Sequence, residues 1–178
     1  DKPILTDSGG YQVFSLSKSR KITDEGVTFA SHLDGSKHIF TPKRVVDLQL
    51  GFNSDILMPL DICSAYQISE EQTKKELEIT TKWETEARDH WQENHQGNML
   101  FGIVQGGFYK NLREQSAKEI TNLGLPGYAI GGLSVKEPPE LMQEMLEFTT
   151  DFLPEDKPRY LMGVGLPENL EHAINQGI

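Results

Sequence analysis

Six consecutive residues near the start of the chain combine groups that could bind a small polar molecule. They are Asp7, Ser8, Gly9, Gly10, Tyr11 and Gln12, and they follow a short apolar run at residues 3–6. A carboxylate here can accept N–H groups or move a proton, and two adjacent glycines let another molecule approach the backbone. The tyrosine ring can stack on a flat heterocycle. A strand-ending turn whose Asp caps a helix would need the same residues, so the segment alone leaves both interpretations open.

Polar or small residues also follow four later apolar runs. Because active-site groups of a β/α barrel lie at the carboxyl ends of its strands, we expect them to converge with Asp7. Two carboxylates, an amide, backbone N–H groups and apolar flanks would suit a planar heterocycle with a guanine-like edge. Each residue also has a simpler interpretation, as a turn cap, a partner for backbone groups or a core side chain. The residues are Asp61 after 55–60, Gln105 after 99–104, Gly132 and Leu133 after 127–130, and Met162 within 159–164.

The elements that must position these residues alternate along the chain. The five apolar runs, the first containing Ile4 and Leu5, predict strands buried on both faces. Helices are predicted from Thr41-Pro42 to Gly51, from Ser69 to about Gln96, over Leu112–Leu123 and Pro138–Phe152, and from Pro167 onward. This order predicts an α/β fold with a parallel sheet, and an alternating segment at 26–40 with Asp34-Gly35 in its middle predicts an inserted β-hairpin. Five units do not close an eight-stranded barrel, so we expect residues 1–178 to form one domain, the central part of a (β/α)8 TIM barrel.

Composition narrows the class of protein. The chain of 178 residues has a net charge of −10, which argues against a protein that coats nucleic acid nonspecifically. Neither a membrane-spanning run nor a secretory signal is apparent, so we expect a cytoplasmic protein with no membrane partner. The single cysteine, Cys63, excludes an internal disulfide and a cysteine-rich metal site. We interpret Cys63 as a small, partly buried side chain.

Other titratable residues are predicted to lie outside the site. His32 and His38 fall in the hairpin and are expected at the surface or on a side that faces a binding partner, rather than as metal ligands. His90 and His95 fall in a charged helix and are expected to be solvated. The charges of Lys74-Lys75 and Glu84–Glu86 predict a solvated helix face.

Six sequence motifs follow one another along the chain, at residues 7–16, 26–29, 34–36, 102–107, 127–135 and 159–165. In this order they resemble the bacterial queuine tRNA-ribosyltransferases, the tRNA-guanine transglycosylases. The resemblance covers essentially the whole chain. It implies a (β/α)8 barrel with a zinc-binding subdomain, and the exchange of guanine at the anticodon wobble position of tRNA for a 7-deazaguanine base during queuosine biosynthesis. Bacterial members use 7-aminomethyl-7-deazaguanine, act on tRNAs for Asp, Asn, His and Tyr, and usually form homodimers.

The resemblance also assigns roles to matching positions. Asp7 would be the catalytic proton acceptor, above a loop of Ser8, Gly9, Gly10 and the stacking Tyr11. Asp61 would accept from the base's N–H edge, Gln105 and the Gly132 N–H would donate to its carbonyl, and the Leu133 carbonyl would accept from the aminomethyl group. Met162 would cover the other face of the base, Glu137 would support a switchable peptide near Leu133, and Cys63 and Val135 would suit the smaller bacterial base. The implied RNA-binding residues are Gly163, Val164, Gly165, Leu166, Pro167, Glu168 and Asn169.

Some family features are missing from these residues. The family's covalent nucleophile, an Asp, and its zinc ligands, three Cys and a His, would follow Ile178, so no metal ligand is expected in this chain and the isolated segment is expected to be inactive. Residues 61–66 and Lys136, where glycine is frequent, also depart from the family pattern. Two other functions stay open at this point. One is a non-catalytic tRNA-binding or accessory subunit of the same family, and the other is an unrelated barrel enzyme acting on a small acidic metabolite.

Overall fold

A five-stranded parallel sheet forms the centre of the molecule. The structure is a computed structural model that describes residues 2–12, 20–31 and 33–178. The sheet order is β1-β5-β6-β7-β8, and every neighbouring pair is parallel. The predicted α/β architecture is therefore confirmed as five successive strands of a partial barrel. The strands are β1 (Leu5–Thr6), β5 (Ile56–Leu57), β6 (Met99–Val104), β7 (Gly127–Ile130) and β8 (Arg159–Leu161).

Helices connect the parallel strands and pack on one another in chain order. Two of them begin as the sequence predicts: Thr41 accepts from the backbone N–H of Arg44, and Ser69 accepts from the backbone N–H of Gln72. The predicted helix at 138–152 is shorter than expected by one residue at its start and two at its end. The helices are α1 (Pro42–Gly51), α2 (Glu70–Asn94), α3 (Lys110–Thr121), α4 (Pro139–Thr150) and α5 (Pro167–Asn175).

The predicted hairpin is confirmed as β3 (Gly26–Ala30) and β4 (Lys37–Phe40), and β2 (Arg20–Thr23) adds a third antiparallel strand. The sequence analysis did not predict β2. This small sheet packs on the barrel through an apolar cluster that includes Val27, Val45 and Trp83. Of the predicted hairpin histidines, His38 donates to or accepts from Ser36 Oγ at 2.8 Å, whereas His32 lies outside the described residues.

The two faces of the parallel sheet have separate cores. In β6, Leu100 and Val104 face the helices in the large cluster, whereas Phe101 and Ile103 face the barrel interior. This alternation follows from the two-residue period of a strand. Gly102 lies on the helix side, where a Cβ would lie 2.4 Å from Ile120 Cγ2, so the close packing of α3 requires glycine there.

One prediction about burial is wrong. Ile4 and Leu5 were expected in a strand buried on both faces, but their side chains are 55% and 36% exposed. Strand β1 lies at the edge of the five-stranded sheet, so in the part of the chain that the structure describes it has a neighbouring strand on one side only. None of the helices described is long and apolar enough to cross a membrane.

Strand β5 is shorter than the apolar run that predicts it. Pairing with β6 ends at Leu57, because Pro59 cannot donate a backbone hydrogen bond. The buried side chain of Gln49 in α1 replaces the missing strand contacts at Met58, accepting from its N–H at 3.0 Å and donating to its carbonyl at 2.8 Å. Residues 58–61 can therefore continue to the end of the barrel without a paired strand.

Candidate active site

A cavity of about 280 Å³ opens at the carboxyl ends of the parallel strands. It brings together residues that are separated by more than 150 positions in sequence and that belong to the loops after all five strands. Its wall combines two aspartates and two glutamines with apolar and aromatic residues, which is the mixture typical of a small-molecule site. The lining residues are Asp7, Tyr11, Gln12, Asp61, Cys63, Gln105, Gly131, Gly132, Leu133, Ser134, Val135, Met162 and Gly163.

Asp61 and Gln105 form the buried polar centre of this cavity. Both side chains are inaccessible or nearly so, and Gln105 Nε2 donates to Asp61 Oδ2 at 2.7 Å. Burial raises the pKa of Asp61 to about 7, with a smaller contribution from the charge of Asp7, while the bond from Gln105 acts in the opposite direction. Gln105 Oε1 is buried and has no hydrogen-bond partner among the described residues. A polar ligand in the cavity would find both an acceptor and a donor here.

The loop after β1 presents Asp7 and Tyr11 to the cavity. Asp7 Oδ1 accepts from the Ser8 N–H at 2.7 Å, and the buried Ser8 Oγ accepts from the Gly10 N–H at 3.1 Å. Gly10 lies against the barrel, since a Cβ there would be 3.3 Å from the Asp61 carbonyl oxygen. Ser8, Gly9 and Gly10 therefore shape the loop and do not line the cavity themselves.

The loop after β7 approaches Gln105 more closely than a side chain would permit. Gly132 has φ +68°, and a Cβ at this position would lie 2.4 Å from Gln105 Oε1. Only glycine combines this backbone conformation with that contact. The pair Gly131-Gly132 is thus needed for the amide of Gln105 to reach the cavity.

Glu137 holds the next part of that loop in place. Its two carboxylate oxygens accept from the backbone N–H groups of Ser134 and Val135, at 2.5 and 2.6 Å. Ser134 and Lys136 both have a left-handed backbone conformation, with φ of +61° and +83°. Such a conformation costs a non-glycine residue on the order of 1 kcal/mol, so Glu137 stabilises a strained segment.

Arg113 is a site-supporting residue that the sequence analysis missed. It lies fully buried in α3, and its Nε donates to the Gly107 carbonyl at 2.7 Å while its Nη2 donates to the Gly131 carbonyl at 3.0 Å. It thereby joins the loops after β6 and β7. Burial lowers the pKa of Arg113 to about 10. An arginine in a charged helix gives no sequence signal of such a position, because its usual place is the solvated face.

The prediction that Glu84 lies on a solvated helix face is wrong. Its side chain is 1% exposed, and its Oε2 accepts from the Ile103 N–H at 2.9 Å. Burial raises the pKa of Glu84 well above its usual range. Helix α2 packs on the sheet at the helical turn that contains Glu84, opposite Gly102. Because glycine has no side chain, it leaves room for the carboxyl group of Glu84.

The remaining predicted residues differ in their positions. Met162, which is partly buried, and Gly163 line the cavity. The other predicted RNA-binding residues lie next to it at the start of α5, and most of them are exposed: Val164, Gly165, Leu166, Pro167, Glu168 and Asn169.

Cys63 also lines the cavity. Burial raises the pKa of its thiol to about 12, which keeps it protonated and weakly nucleophilic. His90 is not fully solvated, because its Nε2 lies 2.7 Å from Asp47 Oδ1.

The described residues do not form a zinc site. In residues 2–12, 20–31 and 33–178 there is no group of three His, Cys, Asp or Glu side chains that could hold a metal ion.

Comparison with known proteins agrees with this arrangement. The sequence profile of the family described as queuine tRNA-ribosyltransferase matches residues 1–178. Proteins named queuine tRNA-ribosyltransferase from Acetivibrio thermocellus, Ruminiclostridium cellulolyticum and Caldanaerobacter subterraneus are 56%, 54% and 53% identical to the chain over 178 residues. In each case the match covers 100% of this chain and 47 or 48% of the relative, so the chain spans about half the length of the curated relatives it matches. Because the match is continuous and includes every loop that lines the cavity, the chain belongs to the queuine tRNA-ribosyltransferase family.

Proposed function

We propose that the protein exchanges guanine at the anticodon wobble position of tRNA for a 7-deazaguanine base. The observation that carries this proposal is the buried pair of Asp61 and Gln105, with Gly132 packed closely against Gln105, on the wall of a cavity of about 280 Å³. A carboxylate and an amide at this separation complement the N–H edge and the carbonyl of a guanine-type base. Family membership supports the same reaction.

The base would bind between these groups. The Asp61 carboxylate accepts from the N–H edge of the base, while Gln105 and the Gly132 N–H donate to its carbonyl oxygen. A primary amide has two N–H donors, so Gln105 can keep its bond to Asp61 and still donate to the base. Tyr11 and Met162, both on the cavity wall, would cover the two faces of the ring.

The chemistry assigned to this pocket is a double displacement at the ribose C1′ of the flipped-out nucleotide. A carboxylate nucleophile, assigned to a part of the protein outside residues 1–178, forms a bond to C1′ as the bond from C1′ to guanine breaks. Asp7 then removes the proton from the incoming deazaguanine, whose ring nitrogen attacks C1′ and displaces the carboxylate. Asp7 suits this role because it lies at the cavity wall and is exposed. Two inversions retain the configuration at C1′.

The residues of the cavity wall support a more specific proposal for the substrates. Cys63 and Val135 line the cavity, and the Leu133 carbonyl beside them would accept from an aminomethyl group, which favours 7-aminomethyl-7-deazaguanine. Residues 163–169, most of which are exposed, would contact the tRNA. The acceptors would be the tRNAs for Asp, Asn, His and Tyr. The enzyme would be a homodimer, with its zinc site elsewhere in the protein. The backbone N–H groups at the start of α5 suit a phosphate, although Glu168 in its first turn weakens that preference.

The test is the incorporation of labelled guanine into an acceptor tRNA by the full-length protein. Asp61→Ala should raise the KM for guanine by about tenfold or more, because a charged hydrogen-bond acceptor is lost. Asp89→Ala, which removes an exposed carboxylate from α2, is the matched control and should leave the KM unchanged. Incorporation by the parent protein with an unchanged KM for Asp61→Ala would refute the assignment. Binding of tRNA without any incorporation would instead favour an accessory subunit.

A further inference from the structure

Three buried backbone N–H groups next to the polar centre are held by helix side chains. The Ile62 N–H donates to Thr80 Oγ1 at 3.0 Å, the Ile103 N–H to Glu84 Oε2 at 2.9 Å, and the Gln105 N–H to Ser116 Oγ at 3.0 Å. The three acceptors are between 0 and 1% exposed. One donor belongs to Gln105 itself, one to the residue after Asp61, and one to the strand that leads to Gln105.

The short length of strand β5 explains why helix side chains, rather than a neighbouring strand, accept hydrogen bonds from these backbone N–H groups. Pairing between β5 and β6 ends at Leu57 and Leu100, so on that side β6 continues without a neighbouring strand among the described residues. A buried N–H group without a partner is costly, and here α2 and α3 supply the missing acceptors. The ends of these two strands are therefore positioned by the helices behind them.

We propose that Thr80, Glu84 and Ser116 are positioning residues that set the separation between the Asp61 and Gln105 side chains and hence the affinity of the cavity for a base. This inference rests on the proposed function for the identity of the base. None of the three side chains lines the cavity. Each acts through the backbone, so its loss should alter base binding without removing any group that contacts the base.

The direct test uses Thr80→Val and Ser116→Ala in the full-length protein. Each variant removes a hydroxyl acceptor with little change in size and leaves a buried N–H unpaired. We expect the KM for guanine to rise about tenfold in each, with the KM for tRNA unchanged. Conservative variants that keep the acceptor, Thr80→Ser and Glu84→Gln, should retain the parent KM for guanine. A raised KM in a folded variant of this kind would contradict the proposal, including when the first pair does not fold.

Thr149→Val and Thr150→Val in α4 are matched controls. Their hydroxyls are also buried, but they donate to Met145 and Leu146 carbonyls within their own helix. Each should leave the KM for guanine unchanged, because neither hydroxyl bonds to a group next to the polar centre. An equal rise in KM in the controls, or no rise in Thr80→Val and Ser116→Ala, would overturn the positioning role.

A crystal structure of Ser116→Ala separates this inference from the proposed function. The distance between Asp61 Oδ2 and Gln105 Nε2, 2.7 Å in the parent, should increase whether or not the protein exchanges guanine. An unchanged distance would refute the positioning role even in an active enzyme. A parent protein that shows no guanine incorporation would refute the proposed function alone.

Discussion

At the scale of single residues, Asp61 is a carboxyl group whose environment opposes its charge. It is almost completely buried, its one described side-chain partner is a neutral amide, and Asp7 contributes a second negative charge nearby. A site that must accept hydrogen bonds from a neutral base benefits from such a group, because the ligand supplies the N–H donors that the empty cavity lacks.

This environment predicts a pH-dependent stability. The pKa of Asp61 is about 7 in the folded protein, against an ordinary value of 3.8. Between about pH 4 and pH 7, Asp61 is therefore protonated in the folded protein and ionised in the unfolded chain. Stability from this group is therefore lost as the pH rises through that window. Asp61→Asn has no carboxyl group at this position and does not lose this stability. The free energy of unfolding of Asp61→Asn, relative to that of the parent, should therefore increase by on the order of 2 kcal/mol when the pH is raised from about 5 to about 8.

Urea-induced unfolding at the two pH values measures this difference. Asp89→Asn is the control, since Asp89 is exposed and should follow the parent at both values. If the difference between Asp61→Asn and the parent were the same at both pH values, Asp61 would not carry a raised pKa.

At the scale of elements, the strands bring the site residues to one end of the barrel and the helices then fix the loops. Arg113 in α3 joins the loops after β6 and β7, and Glu137 fixes the turn that precedes α4. Among the described residues neither has a salt-bridge partner of opposite charge within 4.0 Å. Both side chains bond to backbone groups, which is what a loop with little regular structure requires.

Arg113→Lys should therefore damage the site although it keeps the charge. A lysine has a single nitrogen and cannot reach the Gly107 and Gly131 carbonyls with the same fork geometry. We expect a loss of about 1–3 kcal/mol in the free energy of unfolding and a raised KM for guanine. Arg88→Lys is the matched control, because Arg88 is partly exposed and donates to only one carbonyl, that of Leu123. Equal effects in the two variants would contradict a specific role for Arg113.

At the scale of the whole molecule, the small antiparallel sheet depends on the barrel for its position. Trp83 in α2 is fully buried in the cluster that joins them, and its Nε1 donates to the Asp24 carbonyl at 2.9 Å. Asp24 lies in the turn between β2 and β3. The side chains of Arg20 and Ile22 in β2 also face a groove that shares Tyr11, Cys63 and Val135 with the cavity. The sheet thus forms one side of the entrance.

Trp83→Phe should loosen this attachment. The change removes the bond to Asp24 and part of the buried ring, at a cost of about 1–3 kcal/mol. Amide hydrogen exchange should accelerate in residues 20–31, with little change in β6 and β7. Trp91→Phe is the control, because the Trp91 Nε1 is buried without a hydrogen-bond partner in the described part of the chain. Accelerated exchange throughout the barrel would instead indicate global destabilisation.

The order of the elements and the residues of the candidate site could be predicted from the amino-acid sequence. Apolar runs that end in glycine or a polar residue, together with the Thr41 and Ser69 caps, predict an α/β barrel with chemistry at the strand ends. Asp7, Asp61, Gln105, Gly132 and Met162 do lie together at that end. These features are local in sequence, or follow from the rule that parallel strands share one direction.

The buried polar residues that support the site could be identified only from the folded structure. The side chains of Glu84, Arg113 and Ser116 occur in helices rich in charged and polar residues, where a sequence pattern predicts solvent exposure. Their burial depends on the early end of β5 at Pro59 and on the space left by Gly102, which are contacts between elements far apart in the chain. The exposure of β1 likewise depends on its place at the edge of the sheet. A backbone N–H left without a strand partner is visible only once the pairing is known, and this is why sequence reasoning found the residues of the cavity wall but not those behind it.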